Sequence, residues 1–444
     1  MHTLEQLRRG ELAGARRLDL SAGLTELPDE ILSLADSLEV LNLSGNRLRH
    51  LPDWLPRLGK LRILFCSDNP FEQVPEVLGD CEKLEMVGFK ACRIRELPVA
   101  ALPARLRWLI LTDNALERLP AELGNCQRLQ KMALAGNRLT ALPDSLADLQ
   151  RLELLRISAN RLDALPGWLM ELPRLAWLAF AGNPCSDTRE AQVLAEHPLP
   201  PIARTSIALG EVLGQGASGI IQRAEWRLDG ETAQPMAAKL FKGHVTSDGL
   251  AHSEMAACLA AGAHPNLIGV AGPLAEQAGA APGLLLELID PAFRPLAGPP
   301  SLASCTRDCY PSERRFDLDE ALRIARGAAA AVAHLHGRGI LHGDLYAHNL
   351  LVDPAGACLL GDFGAASFFD PASAQGRALQ RIEARAFGHL LEELLQRCPE
   401  ERQPERRHAL AGLSERCLSP WVGERPDFAE ILAALQGEPP ATSV

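Results

Sequence analysis

The 444-residue chain has no excess of basic charge: 45 Lys and Arg stand against 56 Asp and Glu, a formal net charge of −11. Acidic residues lead in both halves, which excludes the basic footprint of a nucleic-acid or anionic-membrane binder. Long apolar runs are also missing. The most apolar helical stretch, Ile324 to Leu335, is broken by Arg326 and His334. It falls short of the about 20 apolar residues that a membrane span needs. The opening MHTLEQLRRGELAG has no apolar core, so no secretory leader is expected. The 11 cysteines are odd in number and scattered. That fits reduced thiols in a cytoplasm, the expected location, and not a disulfide framework. Cys305 and Cys309 could be half a metal site, but no second ligand pair follows, so two unrelated loop thiols is the preferred reading. Composition leaves the oligomeric state open, while its Ala/Leu/Arg-rich balance looks bacterial.

Against these absences stands a repeat. The stretch LEVLNLSGNRLRHLPDWLPRLGK (38–60) recurs through the first half, marked by Asn46, Asn69, Asn114, Asn137, Asn160 and Asn183, with Cys92 in the Asn place of one copy. Gly23 holds that place in a weaker opening copy. The L-x-L pair in each unit points to one side of a short strand by period-two alternation. Each Asn can bond backbone amides where the chain turns inward, and the following Leu-Pro suits an irregular return over a long helix. This period and frame resemble leucine-rich repeats, which share one continuous core because no unit can bury its leucines alone. The resemblance implies partner binding on the concave side of the strands. Phe65, Trp108, Ile110, Arg156 and Trp177 are expected there as an outward-facing surface for a protein partner, or for the chain's own second domain.

After Asn183-Pro184 the frame ends. Arg189 to Glu196 is expected as a short capping helix, and HPLPPIA (197–203) as a stiff proline-rich connector. The expected division is repeats over 1–187, cap and linker over 188–204, and a second domain over 205–436.

That second domain carries an ordered series of motifs. LGQGASGII (Leu213, Gly214, Gln215, Gly216, Ala217, Ser218, Gly219, Ile220, Ile221) places three glycines between two strands, where backbone can lie close over phosphates. MAAK ends in Lys239, and Glu254 follows in HSEMAACLAA. HPNLI (264–268) and LLLELI (284–289) read as a strand pair ending near Glu287. PAFRPLAGPPSLASC reads as a surface insertion, and Leu318 to His336 as a helix. ILHGDLYAHNLLV contains Asp344 and Asn349, and GDFG contains Asp362. Any one of these alone is weak; their order resembles protein kinases through Leu435. The resemblance implies ATP and Mg2+ as cofactors. It makes Lys239 the phosphate-pairing lysine held by Glu254, Glu287 part of the adenine hinge, Asp344 the catalytic aspartate, and Asn349 and Asp362 the metal ligands. The expected architecture is therefore multi-domain α/β: a leucine-rich-repeat solenoid followed by a bilobal α+β kinase fold.

Three departures from that pattern matter. His342-Gly343-Asp344 has Gly in the usual Arg place, no A-P-E follows the D-F-G, and only 17 residues (365–381) precede the helix expected over 382–395. Ser367 and Ser373 are the only hydroxyls between Gly364 and Arg381, so activation without loop phosphorylation is expected. Arg425 lacks its usual glutamate partner. Serine/threonine protein kinase activity is the leading expectation. Two alternatives stay open: a small-molecule phosphotransferase resembling aminoglycoside or choline kinases, and an ATP-binding pseudokinase scaffold.

Overall fold

The computed structural model describes residues 2–196, 198–216, 218–228, 232–243, 245–246, 248–399 and 403–437. Its contacts divide the chain into two units, residues 1–172 and 173–444. The last repeat strand goes with the second unit.

The first unit opens with α1 (Leu4–Arg8), whose Thr3 and Gln6 form a capping box. Then come β1 (Arg17–Asp19), β2 (Val40–Asn42), β3 (Ile63–Phe65), β4 (Met86–Gly88), β5 (Trp108–Ile110), β6 (Lys131–Ala133) and β7 (Leu154–Arg156). They pair in order, all parallel, and bring Leu18, Leu41, Leu64, Val87, Leu109, Met132 and Leu155 into one buried row. The return limbs are short 3-10 turns. Pro28, Pro75, Pro98, Pro120, Pro143 and Pro166 each lead into one with φ already set for the bend.

The asparagines satisfy backbone that the sheet leaves behind. Asn137 Nδ2 donates to the carbonyls of Leu111 (2.9 Å) and Leu134 (2.9 Å), while its Oδ1 accepts from Leu116 N at 3.0 Å. Asn69, Asn114 and Asn160 repeat the pattern, binding the unit before to their own. Cys92 can offer only long thiol contacts to the Cys66 and Lys90 carbonyls, at 3.5 and 3.6 Å.

The second unit starts with β8 (Trp177–Ala179) and α2 (Pro184–Glu196). Helix α2 begins five residues before the expected cap. The connector does not hang free: Ile202 is buried with Ala224, Met236, Ala238, Leu274 and Leu285 in the core of the next sheet. That sheet is antiparallel, ordered β12-β13-β11-β10-β9, from β9 (Ile207–Gln215), β10 (Gly219–Trp226), β11 (Gln234–Phe241), β12 (Val270–Pro273) and β13 (Gly283–Glu287). Helix α3 (Ala251–Ala261) packs against it. The first strand of the expected pair thus lies after HPNLI, whose Asn266 is tied instead to the Cys358 and Leu360 backbone.

The rest is mainly helical. After β14 (Arg294–Pro295) come α4 (Leu318–Gly337), β15 (Ile340–Leu341), β16 (Leu350–Val352), β17 (Cys358–Leu360), β18 (Ser367–Phe368), α5 (Ala374–Leu395), α6 (Pro404–Cys417) and α7 (Phe428–Gln436). Strands β14, β16 and β17 form one small sheet, and β15 pairs with β18. Helix α5 starts well before the expected 382, because Ser373 caps it by accepting from Gly376 N. Only residues 365–373 separate the D-F-G from that helix. Nor is the insertion merely superficial, since Leu296, Ala297 and Cys305 are buried. Among the described residues no helix is long and apolar enough to cross a membrane.

Candidate active site

The glycines in and around the turn between β9 and β10 are placed differently: Gly214 lies in β9, Gly216 in the turn, and Gly219 begins β10. A Cβ at Gly214 or Gly216 would meet nothing within 4 Å, whereas at Gly219 it would stand 2.6 Å from Leu240 O. Gly219 therefore serves strand packing, and Gly214 and Gly216 leave backbone open for close approach. Leu213 is exposed on β9, Gln215 ends that strand, and Ile220 and Ile221 pair with Leu240 and Lys239 on β11. Ser218 passes its carbonyl to Lys242 N. Ala217 lies outside the described residues.

Lys239 on β11 forms an ion pair with Glu254 on α3. Burial pulls the lysine pKa down, but Glu254, Cys258 and Asp362 outweigh it and hold the ammonium above its ordinary value. Lys239, Gly216, Ser218, Gly219, Asp362 and Gly364 line one cleft of about 190 Å3. A larger groove, of about 860 Å3, lies around Arg204, Met255 and Glu276, away from Lys239 and Asp362. Glu287 ends β13, exposed, with its N–H donating to Gly269 O at 2.8 Å.

The loop after β15 brings Asp344 and Asn349 together. Asn349 Nδ2 donates to Asp344 Oδ2 at 2.8 Å and to Asp344 O at 2.9 Å. His342 pins the loop to the residue just before the D-F-G, with Nε2 bonded to Gly361 O at 2.9 Å and Nδ1 accepting from Asp344 N at 3.3 Å. Asp362 takes a left-handed φ of 55°, and its Oδ1 accepts from Gly364 N at 3.1 Å. Strained backbone of this kind clusters at functional sites.

Underneath, Glu383 of α5 accepts from Gly343 N (2.6 Å), His342 N (3.2 Å) and His336 Nε2 (2.7 Å). Burial alone would raise its carboxyl pKa; the bonds and charge of His336, with His342 and Gly343 N–H, hold it below the usual range. Asp308, just past the insertion, accepts from His348 N (3.0 Å) and His348 Nδ1 (2.7 Å). Burial lowers the His348 pKa, but Asp308, Asp344 and Asp362 raise it more, for a net rise. Nothing local in the sequence pointed to Asp308, which sits 40 residues from its partner. The nearest signal was the Cys305–Cys309 window around it, in which Cys305 is buried and Cys309 exposed.

The expected partner surface needs correcting. Phe65, Trp108 and Ile110 are half-buried, but Arg156 and Trp177 are buried, at 2% and 1% exposure. Alternation assigns a side chain to a face, and neighbours on that face can still cover it. Lys131 lies over the Trp108 ring at 4.7 Å, and the Phe65 ring fills the space above Gly88. Trp177 stacks on Tyr346 of the Asp344 loop, with centroids 4.2 Å apart.

Residues 207–387 match the family model for protein tyrosine and serine/threonine kinases. Residues 37–58, 104–162 and 127–184 match leucine-rich-repeat models. The chain thus joins leucine-rich repeats to a protein-kinase domain in a multi-domain α/β architecture. Among relatives, a probable serine/threonine-protein kinase of Arabidopsis thaliana is 29% identical over 108 residues, 24% of this chain and 17% of its own. A putative cyclin-dependent kinase F-2 of Oryza sativa subsp. japonica is 32% identical over 164 residues, 35% of this chain and 45% of its own. CBL-interacting protein kinase 22 from the same rice is 30% identical over 179 residues, 36% of each. The chain spans less than half the length of each of these relatives.

Proposed function

We propose that the chain is an ATP- and Mg2+-dependent protein kinase that phosphorylates protein hydroxyls, serine or threonine above tyrosine. The observation that carries this is the joined pair Asp344–Asn349 in a domain whose Lys239–Glu254 ion pair is closed beside Asp362. The donor set suits the cofactors. Open backbone at Gly214 and Gly216 and a protonated Lys239 suit phosphates, while Asp362 and Asn349 offer hard oxygens to Mg2+. Bound there, Mg-ATP would supply the phosphoryl group and neutralise its charge. Asp344 would orient the acceptor hydroxyl and take its proton. Phe65, Trp108 and Ile110 would form the protein-binding face of the repeats. The lack of basic excess and of an apolar span supports a cytoplasmic protein that binds neither nucleic acid nor membrane.

A second reading, transfer to a small-molecule hydroxyl, is favoured by one observation: residues 365–373 are a short stretch on which to dock a peptide. Labelled ATP with Mg2+, offered in parallel to protein acceptors and to aminoglycoside- or choline-type alcohols, decides between them. Label on serine or threonine after acid hydrolysis supports the protein kinase. Label only on the alcohols transfers the assignment to the second reading, and ATP binding without transfer makes the domain a pseudokinase.

A further inference from the structure

The strand β8 and helix α2 lie before the kinase-matched residues, yet they touch its working parts. Trp177 is 1% exposed and its Nε1–H donates to Leu345 O at 3.0 Å, the carbonyl next after Asp344. Its ring lies 6° from parallel to Tyr346, with His389 5.7 Å away and the Arg307 guanidinium 5.4 Å from its centroid. The neighbouring Leu178 O stands 2.6 Å from where a Cβ at Gly343 would be, as does Ala365 O. With φ at +73° as well, Gly343 is required by this strand's approach.

The adjoining residues hold two more elements. Phe180 N and Ala181 N donate to Ser367 Oγ at 2.8 and 3.1 Å, and Ser367 is fully buried. Arg425, also buried, donates to the carbonyls of Pro173 (2.8 Å) and Leu175 (3.4 Å). Glu190 of α2 accepts from Ser253 Oγ at 3.2 Å, one residue before Glu254.

We propose that residues 173–196 are a built-in brace of the kinase domain, with Trp177 the positioning residue that holds the Asp344 loop in its working form. The brace is permanent covalent chain, so the loop needs no modification to be ordered. Ser367 cannot serve as a phosphate acceptor while its hydroxyl is occupied by two N–H groups, and Ser373 is engaged as a helix cap. The functional part of this proposal rests on the kinase reading of Asp344. The ordering of the loop does not.

The test uses the full chain carrying Trp177→Phe, which keeps an aromatic face and removes the N–H, or Ser367→Ala, which removes the acceptor for Phe180 and Ala181. Trp421→Phe, at a ring 70% exposed, is the control. Loss of one such bond should speed amide hydrogen exchange over 345–349 about three- to tenfold, without change in β1–β7. It should lower kcat by about tenfold or more, since small displacements of a catalytic group are costly, and leave KM for ATP within about twofold. Should Trp177→Phe fail to fold, Ser367→Ala carries the same measurement. Exchange over 345–349 equal to the Trp421→Phe control, with unchanged kcat, overturns the brace. If the parent and Asp344→Asn are equally inactive, the kinase reading falls, and the exchange rates alone decide the brace.

Discussion

Trp108 and Trp177 occupy the same place in two repeats, and their fates differ. Trp108 is half-buried on β5 with Lys131 over its ring. Trp177 on β8 is sealed against Tyr346 and hydrogen-bonded to Leu345 O. Alternation along a strand sets which face a side chain takes, and in both repeats it does. What covers that face comes from chain far away in sequence: at Trp177 the Asp344 loop, some 168 residues on. A period can therefore announce a surface without saying whether it is free.

The widest separation between the two should appear on truncation. Trp177→Ala opens a cavity in a close-packed site and should cost about 3–5 kcal/mol. Trp108→Ala should cost about 1 kcal/mol or less, as surface changes do. Urea unfolding of both variants measures the difference, and equal losses would erase the distinction. Binding should invert the order, because the half-open ring is the one available to a partner. If a protein partner uses Phe65, Trp108 and Ile110, Trp108→Ala should weaken it by about 2 kcal/mol in a titration.

The same lesson explains what was legible beforehand. Asp344 and Asn349 sit five residues apart on one loop, so spacing alone brings them together. Lys239 and Glu254 were found because a strand, turn and helix separate them in a known pattern. The leucine and asparagine ladders were legible because each unit repeats the same physics. Asp308 was not, since the non-periodic stretch after the insertion carries no mark of the His348 it will meet. Arg425 was expected to lack its usual glutamate partner. Its bonds go instead to the carbonyls of Pro173, Leu175, Arg381 and Ser419, which no side-chain pattern could announce. The start of α5 was misplaced because the family pattern suggested a longer loop, while Ser373 supplied an earlier cap.

Within the repeats, position 92 sharpens the contrast between a satisfied and an unsatisfied copy. Burial pushes the Cys92 thiol up to about 11, so it stays a neutral, weak donor. Cys92→Asn should restore the amide bridge that Asn69 and Asn114 make on either side. The expected gain is about 1 kcal/mol, read from the unfolding midpoint. Loss of stability would mean that this copy's backbone has moved away from the common frame.

The smallest effect concerns pH and belongs to the loop that Trp177 covers. Asp308, Asp344 and Asp362 outweigh burial to raise His348 above its ordinary value of 6.5. A raised histidine stabilises fully below that ordinary value, and the contribution is lost as pH rises through the folded one. Thermal melting compared between parent and Asp308→Asn should therefore differ most below pH 6.5 and converge as pH rises past the raised folded value. A difference that grows with pH would contradict the pairing.

The most direct test is steady-state transfer from Mg-ATP by the full chain beside its Asp344→Asn variant, with nucleotide binding measured on both. Asp344→Asn should lose about 10²–10⁴-fold in kcat while binding nucleotide as the parent does. Undiminished transfer by clean Asp344→Asn protein would contradict the assignment of the catalytic loop.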